Sequence, residues 1–496
     1  MILSNVRPLG TKLGIVACGL LSWLSLLATA SAEPPAPSAA SGPSDNPEVS
    51  LTDVARASLV SNLDLLSRRQ SLEADKQSID LARSGLLPQI GVGARAQILE
   101  DDRSDSARGN NTQESILLAA ELSQVLYDEP SWAGLGIQKY IFEGQTQELE
   151  SFRLGVVQEA ANAFLALDLA RNILAIQERN RELTRENQET SRSRIAAGWS
   201  SNRELLRWDV ELASNDTDVR AAQVRTLQSA LELNRVRNHP PEEAIAISSA
   251  TVRDYGFVYA RQAVESAIAD PAMDRRIRDF LVRVGIHRSP DLAAIDASIS
   301  ALDRQLKSNS RAFWVPTFTM GAGVDHLATD TQGGDNVKET EYYLKGVVTF
   351  PLVTGGAKVA GYRQAREALT SLRTTRRATA HALEQSIRSS VAQASGSFES
   401  IAYAQRELNA AKENFDLVDA SFTLGVASIL DVLDAQAQLL TAELSLAQAT
   451  NLFLVDIITV QRTVNFYAFL EQPSEVDGML AELERTLAYK PTPTPR

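Results

Sequence analysis

A single cysteine, Cys18, stands in 496 residues, so no disulfide framework can be built. The four histidines, His239, His287, His326 and His381, are scattered without metal-ligand spacing. There is no phosphate loop and no G-x-S-x-G stretch, and GAGVDH opens no helix. No catalytic constellation, metal site or cofactor site is expected, and an enzyme is the least favoured class. Basic residues are outnumbered: the net charge is -13, which argues against nucleic acid as a partner. Aromatics make up only 6% of the chain while alanine is plentiful, a balance suited to close helix–helix packing. Proline is missing between Pro130 and Pro240 and again between Pro351 and Pro473. After residue 32 no apolar run is expected to span a membrane as a helix; Leu452–Val460 is short and contains a charge. A membrane crossing by the mature chain would therefore need a β-barrel.

What is present begins with an export signal. Arg7 and Lys12 precede the apolar run Leu13–Ala28, and Ala30-Ser31-Ala32 has the small-x-small form of a signal peptidase site. Residues 1–32 read as a signal peptide, with the mature chain starting at Glu33. Lipidation at Cys18 is a weaker alternative, because the apolar stretch before it is too short. Residues 33–50, with EPPAPSAASGPSDNP, read as a disordered linker.

The chain is then written twice. LPQIGVGARAQI at Leu87–Ile98 corresponds to VPTFTMGAGVDH at Val315–His326, and RIAAGWSSNRELL at Arg194–Leu206 to FTLGVASILDVLD at Phe422–Asp434. Pro88 and Pro316 are 228 positions apart, Gly198 and Gly425 227. Each half reads helix, strand, strand, long helix, glycine break, helix. Period-two alternation gives the strands: Ile90, Val92, Ala94, Ala96 and Ile98, then Phe318, Met320, Ala322 and Val324, each with polar or glycine residues between. Second strands follow through Ile116, Leu118, Ala120 and Leu122 and through Tyr342, Leu344, Val348 and Phe350. Such strands suit two soluble hairpins, or a membrane sheet apolar to lipid and polar to a lumen.

Helices are expected from about Ile137 to Ala197 and from about Val359 to Thr423. At 1.5 Å per residue the first is about 90 Å long, which implies coiled-coil packing. Beyond Gly425 a heptad seam runs through Val432, Ala435, Leu439, Ala442, Leu446, Ala449 and Phe453. Its first-half equivalent keeps Leu205, Trp208, Leu212, Val219 and Ala222 but carries Asn215 and Thr226. Four strands leave two edges, which lipid does not tolerate, and a small barrel needs about eight or more strands. Several copies must therefore share one barrel.

The duplication, PLVTGG at Pro351–Gly356 and LGVASILDVLDAQ at Leu424–Gln436 make the chain similar to the TolC-type outer membrane efflux proteins, over about Leu51 to Tyr467. The resemblance implies a mixed, mainly α fold. A long coiled-coil α-helical barrel would run on from a transmembrane β-barrel, four strands per chain, closed as a homotrimer of twelve strands. It implies a passive exit channel in the cell outer membrane with a long periplasmic extension. The channel would dock to a periplasmic adaptor and an inner-membrane pump, of RND or ABC type, and serve efflux or type I secretion. Asp431 and Asp434, with Glu204 as the first-half counterpart, would then form a periplasmic gate of acidic rings. Acids at a helix start are also explained by the helix dipole, which suits Asp431 better than Asp434. Arg194, Gly198, Trp199, Gly425 and Val426 would form hairpin tips that contact the adaptor. Ser421, Phe422, Ala427 and Trp199 depart from the family's usual tip residues.

The competing reading is a periplasmic coiled-coil adaptor or scaffold without a pore. The expected division is a first repeat at 51–238, an inter-repeat equatorial segment at 239–288, a second repeat at 289–470 and a flexible tail at 471–496.

Overall fold

The computed structural model describes residues 48–98, 114–198, 201–249, 271–331 and 339–488. The signal peptide with Ala30 and Ala32, and linker residues 33–47, lie outside them. The remaining linker residues are ordered: Val49 bridges to Ile247, and Ser50 caps the first helix in a capping box with Asp53.

Each half follows the expected order. The first has helices α1 (Leu51–Ser61) and α2 (Leu63–Ser84), strands β1 (Gln89–Ile98) and β2 (Glu114–Tyr127), and helices α3 (Glu129–Ala196) and α4 (Asn202–Val236). Helix α5 (Pro271–Arg288) joins the halves. Then come α6 (Pro290–Arg311), β3 (Thr317–Thr331), β4 (Thr340–Thr349), α7 (Ala357–Thr423), α8 (Ile429–Val464) and α9 (Pro473–Ala488). The long helices α3 and α7 have 68 and 67 residues. Helix α3 starts eight residues before the expected Ile137, because Asp128 caps it through the Ser131 amide and Pro130 sits in its first turn. Gly134 and Gly136 lie within this helix.

The four strands form one antiparallel sheet in the order β1-β2-β3-β4, so β1 and β4 are its edges. Ile90 and Val92 are 79% and 84% exposed, Tyr342 and Leu344 82% and 76%. A soluble hairpin would bury this face; among the described residues no core lies behind it.

At the strand–helix junction Glu129 is buried. Its carboxylate accepts from Tyr127 Oη at 2.6 Å, Arg304 Nη1 at 2.7 Å and Arg311 Nη1 at 3.3 Å. Asp128 Oδ1 accepts from Thr317 Oγ1 at 2.9 Å. These contacts fasten β2 and α3 to α6 and β3. Burial raises the Glu129 pKa, but hydrogen bonds and the arginine charges outweigh it and hold the carboxyl below its ordinary value.

The helices share two separate apolar cores. The larger joins α1, the middles of α3 and α7, the end of α4, α5 and the end of α8, and contains Phe164, Leu167, Phe280, Ile387, Phe453 and Tyr467. The smaller, near the glycine breaks, is built on Trp208, Phe415, Phe422, Val432 and Ala435. The tail is not uniformly flexible as expected. Helix α9 buries Leu480 and Leu483, and residues 489–496 lie outside the described ones. Helix α8 also amends the membrane expectation, since by length and composition it is apolar enough to span one. It nevertheless packs along α7 and α3 and carries Asp431, Asp434, Glu443 and Asp456.

Candidate functional site

The glycine breaks turn two helical hairpins, α3/α4 and α7/α8. Gly198 has φ +81° and Gly425 φ +79°, conformations that penalise a side chain. After α7, Gly425 N donates to Phe422 O at 2.9 Å and Val426 N to Ser421 O at 2.9 Å, satisfying terminal carbonyls. A Cβ on Gly425 would meet nothing nearer than Arg194 Nη2 at 3.7 Å, so backbone strain alone opposes it. Gly425→Ala should therefore destabilise this turn by about 1 kcal/mol. Faster amide exchange at residues 420–428, with residues 453–464 unchanged, checks this.

Arg194 is not a free solvated charge. Its Nη1 donates to Phe422 O at 2.8 Å, and its Cζ lies 4.5 Å from the Phe422 ring centroid. Phe422 is itself buried. Arg194 and Phe422 therefore clamp the first hairpin tip to the second inside one protomer. Leu424 and Val426 are exposed at the second turn, while Trp199 lies outside the described residues.

The three acids occupy helix starts and each has a partner within the protomer. Asp431 completes a capping box: its Oδ2 accepts from Ser428 N at 2.9 Å and Ser428 Oγ at 2.8 Å. The Ser428 amide, then its hydroxyl, lower the Asp431 pKa, so the group is anionic at neutral pH. Asp434, one turn on and also exposed, accepts from Gln438 Nε2 at 2.8 Å. Glu204 accepts from Ser191 Oγ at 2.9 Å, and that hydroxyl accepts from Trp208 Nε1 at 2.8 Å. Glu204 is thus tied back to α3, whereas Asp431 and Asp434 keep exposed carboxylates on α8.

Above the tips lies a buried polar layer that residue patterns only half reveal. Gln436 Nε2 donates to Asn180 Oδ1 at 2.8 Å and Thr184 Oγ1 at 2.7 Å. Asn215 Nδ2 donates to Thr184 Oγ1 at 2.8 Å, and Asn180 Nδ2 to Asn215 Oδ1 at 3.2 Å. Asn215 stood out as a polar residue in an apolar seam. Gln436 did not, because it lies beside the seam rather than on it. Among the described residues, no group of three or more His, Cys, Asp or Glu side chains converges as metal ligands would.

A duplicated chain of long helical hairpins, carrying a small sheet whose apolar face is exposed, defines a channel subunit rather than an enzyme. The chain belongs to the outer membrane efflux protein family, whose sequence pattern matches residues 54–239 and 282–464. It is accordingly an outer membrane protein. It is similar to the outer membrane efflux protein BepC of Brucella suis biovar 1 (strain 1330), at 23% identity over 336 residues, 66% of this chain and 67% of BepC. To the outer membrane protein TolC of Salmonella enteritidis it is 26% identical over 401 residues, 78% of this chain and 74% of TolC. The fold is that of the outer membrane protein VceC from Vibrio cholerae, with TM-score 0.68 and 15% identity over 85% of this chain and 97% of VceC. It also matches the Campylobacter jejuni CmeC outer membrane channel, with TM-score 0.67 and 15% identity over 88% of this chain and 89% of CmeC.

Proposed function

We propose that three copies of this chain close a twelve-stranded barrel in the outer membrane, continued by a helical tube into the periplasm. The tube is a passive exit conduit of a tripartite efflux pump or type I secretion system. The observation that carries this reading is the four-stranded sheet with two open edges and an exposed apolar face. Lipid tolerates such a sheet only when other copies cover its edges. A pore-free periplasmic adaptor would have no use for that face.

The hairpin tips form the periplasmic entrance. Arg194, Gly198, Trp199, Gly425 and Val426 face a periplasmic adaptor, which brings an RND or ABC-type inner-membrane pump to the tube. Asp431 and Asp434 repeat around the axis as acidic rings that favour cations, with Glu204 buttressing the first hairpin. The exposed carboxylates and the lowered Asp431 pKa support this assignment.

The test is mass determination in detergent, followed by single-channel recording in planar bilayers. The expected mass is three chains, and wild type should prefer cations. In Asp431→Asn with Asp434→Asn the cation-to-anion permeability ratio should fall toward unity. An unchanged ratio removes the gate assignment. A monomer passing no current overturns the conduit.

A further inference from the structure

The polar face of the sheet carries a second arrangement. On β4, Tyr343 and Lys345 share a face with Glu341 and stand opposite Gly323 and Gly321 of β3. Both side chains lie down across β3 instead of standing off the sheet. A Cβ on Gly323 would fall 2.4 Å from Tyr343 Cζ and Oη, and one on Gly321 2.7 Å from Lys345 Cε. The space a side chain would take at each glycine is therefore already filled from β4.

Lys345 reaches beyond β3 to β2. Its Nζ donates to Glu121 Oε1 at 2.7 Å, and it lies 5.2 Å from the Tyr343 ring centroid. Glu121 itself pairs with Gly323. Tyr343 is half-buried in a strand whose next five residues, Leu344 to Val348, are all exposed, which marks it as folded against the sheet. Glu121 shares its sheet face with Ser123, Gly321, Gly323 and Asp325, and also with Ala119, Val125 and Val347, while Leu118, Leu122, Phe318, Met320, Val324, Leu344 and Val348 lie on the other face. In a membrane barrel the polar face lines the lumen.

We propose that Tyr343 and the Lys345–Glu121 pair set the clear width and charge of the tube at mid-height in the outer membrane, lying flat where Gly323 and Gly321 leave room. Held down, they keep the bore wide and their charges cancelled. Raised, one tyrosine and one lysine per copy project into the bore at neighbouring levels, two positions apart along β4, and narrow it. This rests on the conduit reading above. It names the place where passage of bulky cargo is limited within the membrane, away from the tips.

The test measures access from outside, so the state of the periplasmic entrance does not affect it. In chains with Cys18→Ser, cysteine is placed at Thr319 or at Asp325. Both share the polar face; Thr319 lies about 7 Å nearer the helices than Gly321, and Asp325 nearer the outer loops. Intact cells are treated with maleimide-capped polyethylene glycol of graded size. In otherwise native chains the largest reagent that enters should label both positions. Adding Gly323→Val should slow its reaction at Thr319→Cys by roughly tenfold, since pore width discriminates by size, and leave Asp325→Cys unchanged. Adding Tyr343→Ala to Gly323→Val should restore the rate.

Heat-modifiable migration confirms assembly of each variant. If Gly323→Val does not assemble, Glu121→Gln serves instead. With Lys345 unpaired, anionic thiol reagents should gain on cationic ones at Thr319→Cys. Equal rates with and without Gly323→Val, or with Glu121→Gln an unchanged charge ratio, overturn the proposal. If small reagents label neither cysteine in the otherwise native chain, the polar face is not a lumen and the conduit reading itself fails.

Discussion

Arg304→Ala should be among the most destabilising single substitutions in this protein, lowering stability by about 3 kcal/mol. Glu129 has a side chain only 3% exposed, and Arg304 holds it at 2.7 Å. Removing the guanidinium leaves a buried carboxylate with Tyr127 and the longer Arg311 contact. Arg311 is 57% exposed and cannot compensate fully. The guanidinium chloride midpoint of detergent-purified protein reads the loss, and Arg311→Ala should cost much less. A pH series separates charge from packing. Because the folded-state pKa of Glu129 lies below its ordinary value, its ionised form stabilises the fold above the unfolded pKa. That contribution is lost as pH falls through the folded value. Wild type and Glu129→Gln should therefore differ most near neutrality and converge in acid. A constant difference would mean the carboxylate's charge contributes nothing.

Trp208→Ala should loosen the hairpin tips by about 3–5 kcal/mol without weakening the rest of the helical bundle. Trp208 is fully buried, packs in the small core with Phe415, Phe422, Val432 and Ala435, and donates to Ser191. Its removal leaves a cavity, frees the Ser191–Glu204 link and withdraws packing from the Arg194–Phe422 clamp. The larger core shares no residue with this cluster. Hydrogen exchange should accelerate in residues 183–198 and 415–435 and stay unchanged in 157–167 and 453–467. Exchange rising equally in both regions would refute the separation of the cores. Trp208→Phe keeps most of the volume but not the indole donor, so it should fall between the two.

The elements legible in the sequence were those with a strong period. Alternation placed all four strands, since a sheet with one apolar face must repeat every second residue. The proline-free stretches placed the long helices, and Gly198 and Gly425 their turns. The start of α3 was placed eight residues too late, although Asp128 and Pro130 carried the capping signal. Helix α9 went unread although Val476, Met479, Leu480 and Leu483 have amphipathic spacing. The proline-rich end beyond it coloured the whole tail.

The site divides in the same way. Asp431 and Asp434 could be found because they interrupt an apolar pattern beside a glycine. The Arg194–Phe422 clamp and the Glu129 cluster could not, because their members are 228 and 175 positions apart and no local pattern links them. Gln436 illustrates the same limit on a smaller scale: only the packed hairpins show that its amide points inward.

The layer of Asn180, Thr184, Asn215 and Gln436 restricts how this architecture can be lengthened. Slipping one helix by a single residue against its neighbours would strand these buried amides and hydroxyls without mates. Adding residues to one arm so that the layer falls out of register would therefore cost those bonds. Matched insertions of seven in both arms, all placed on one side of that layer, preserve every bond. Heptad insertions of that kind lengthen a hairpin in steps of about 10 Å, the rise of seven helical residues.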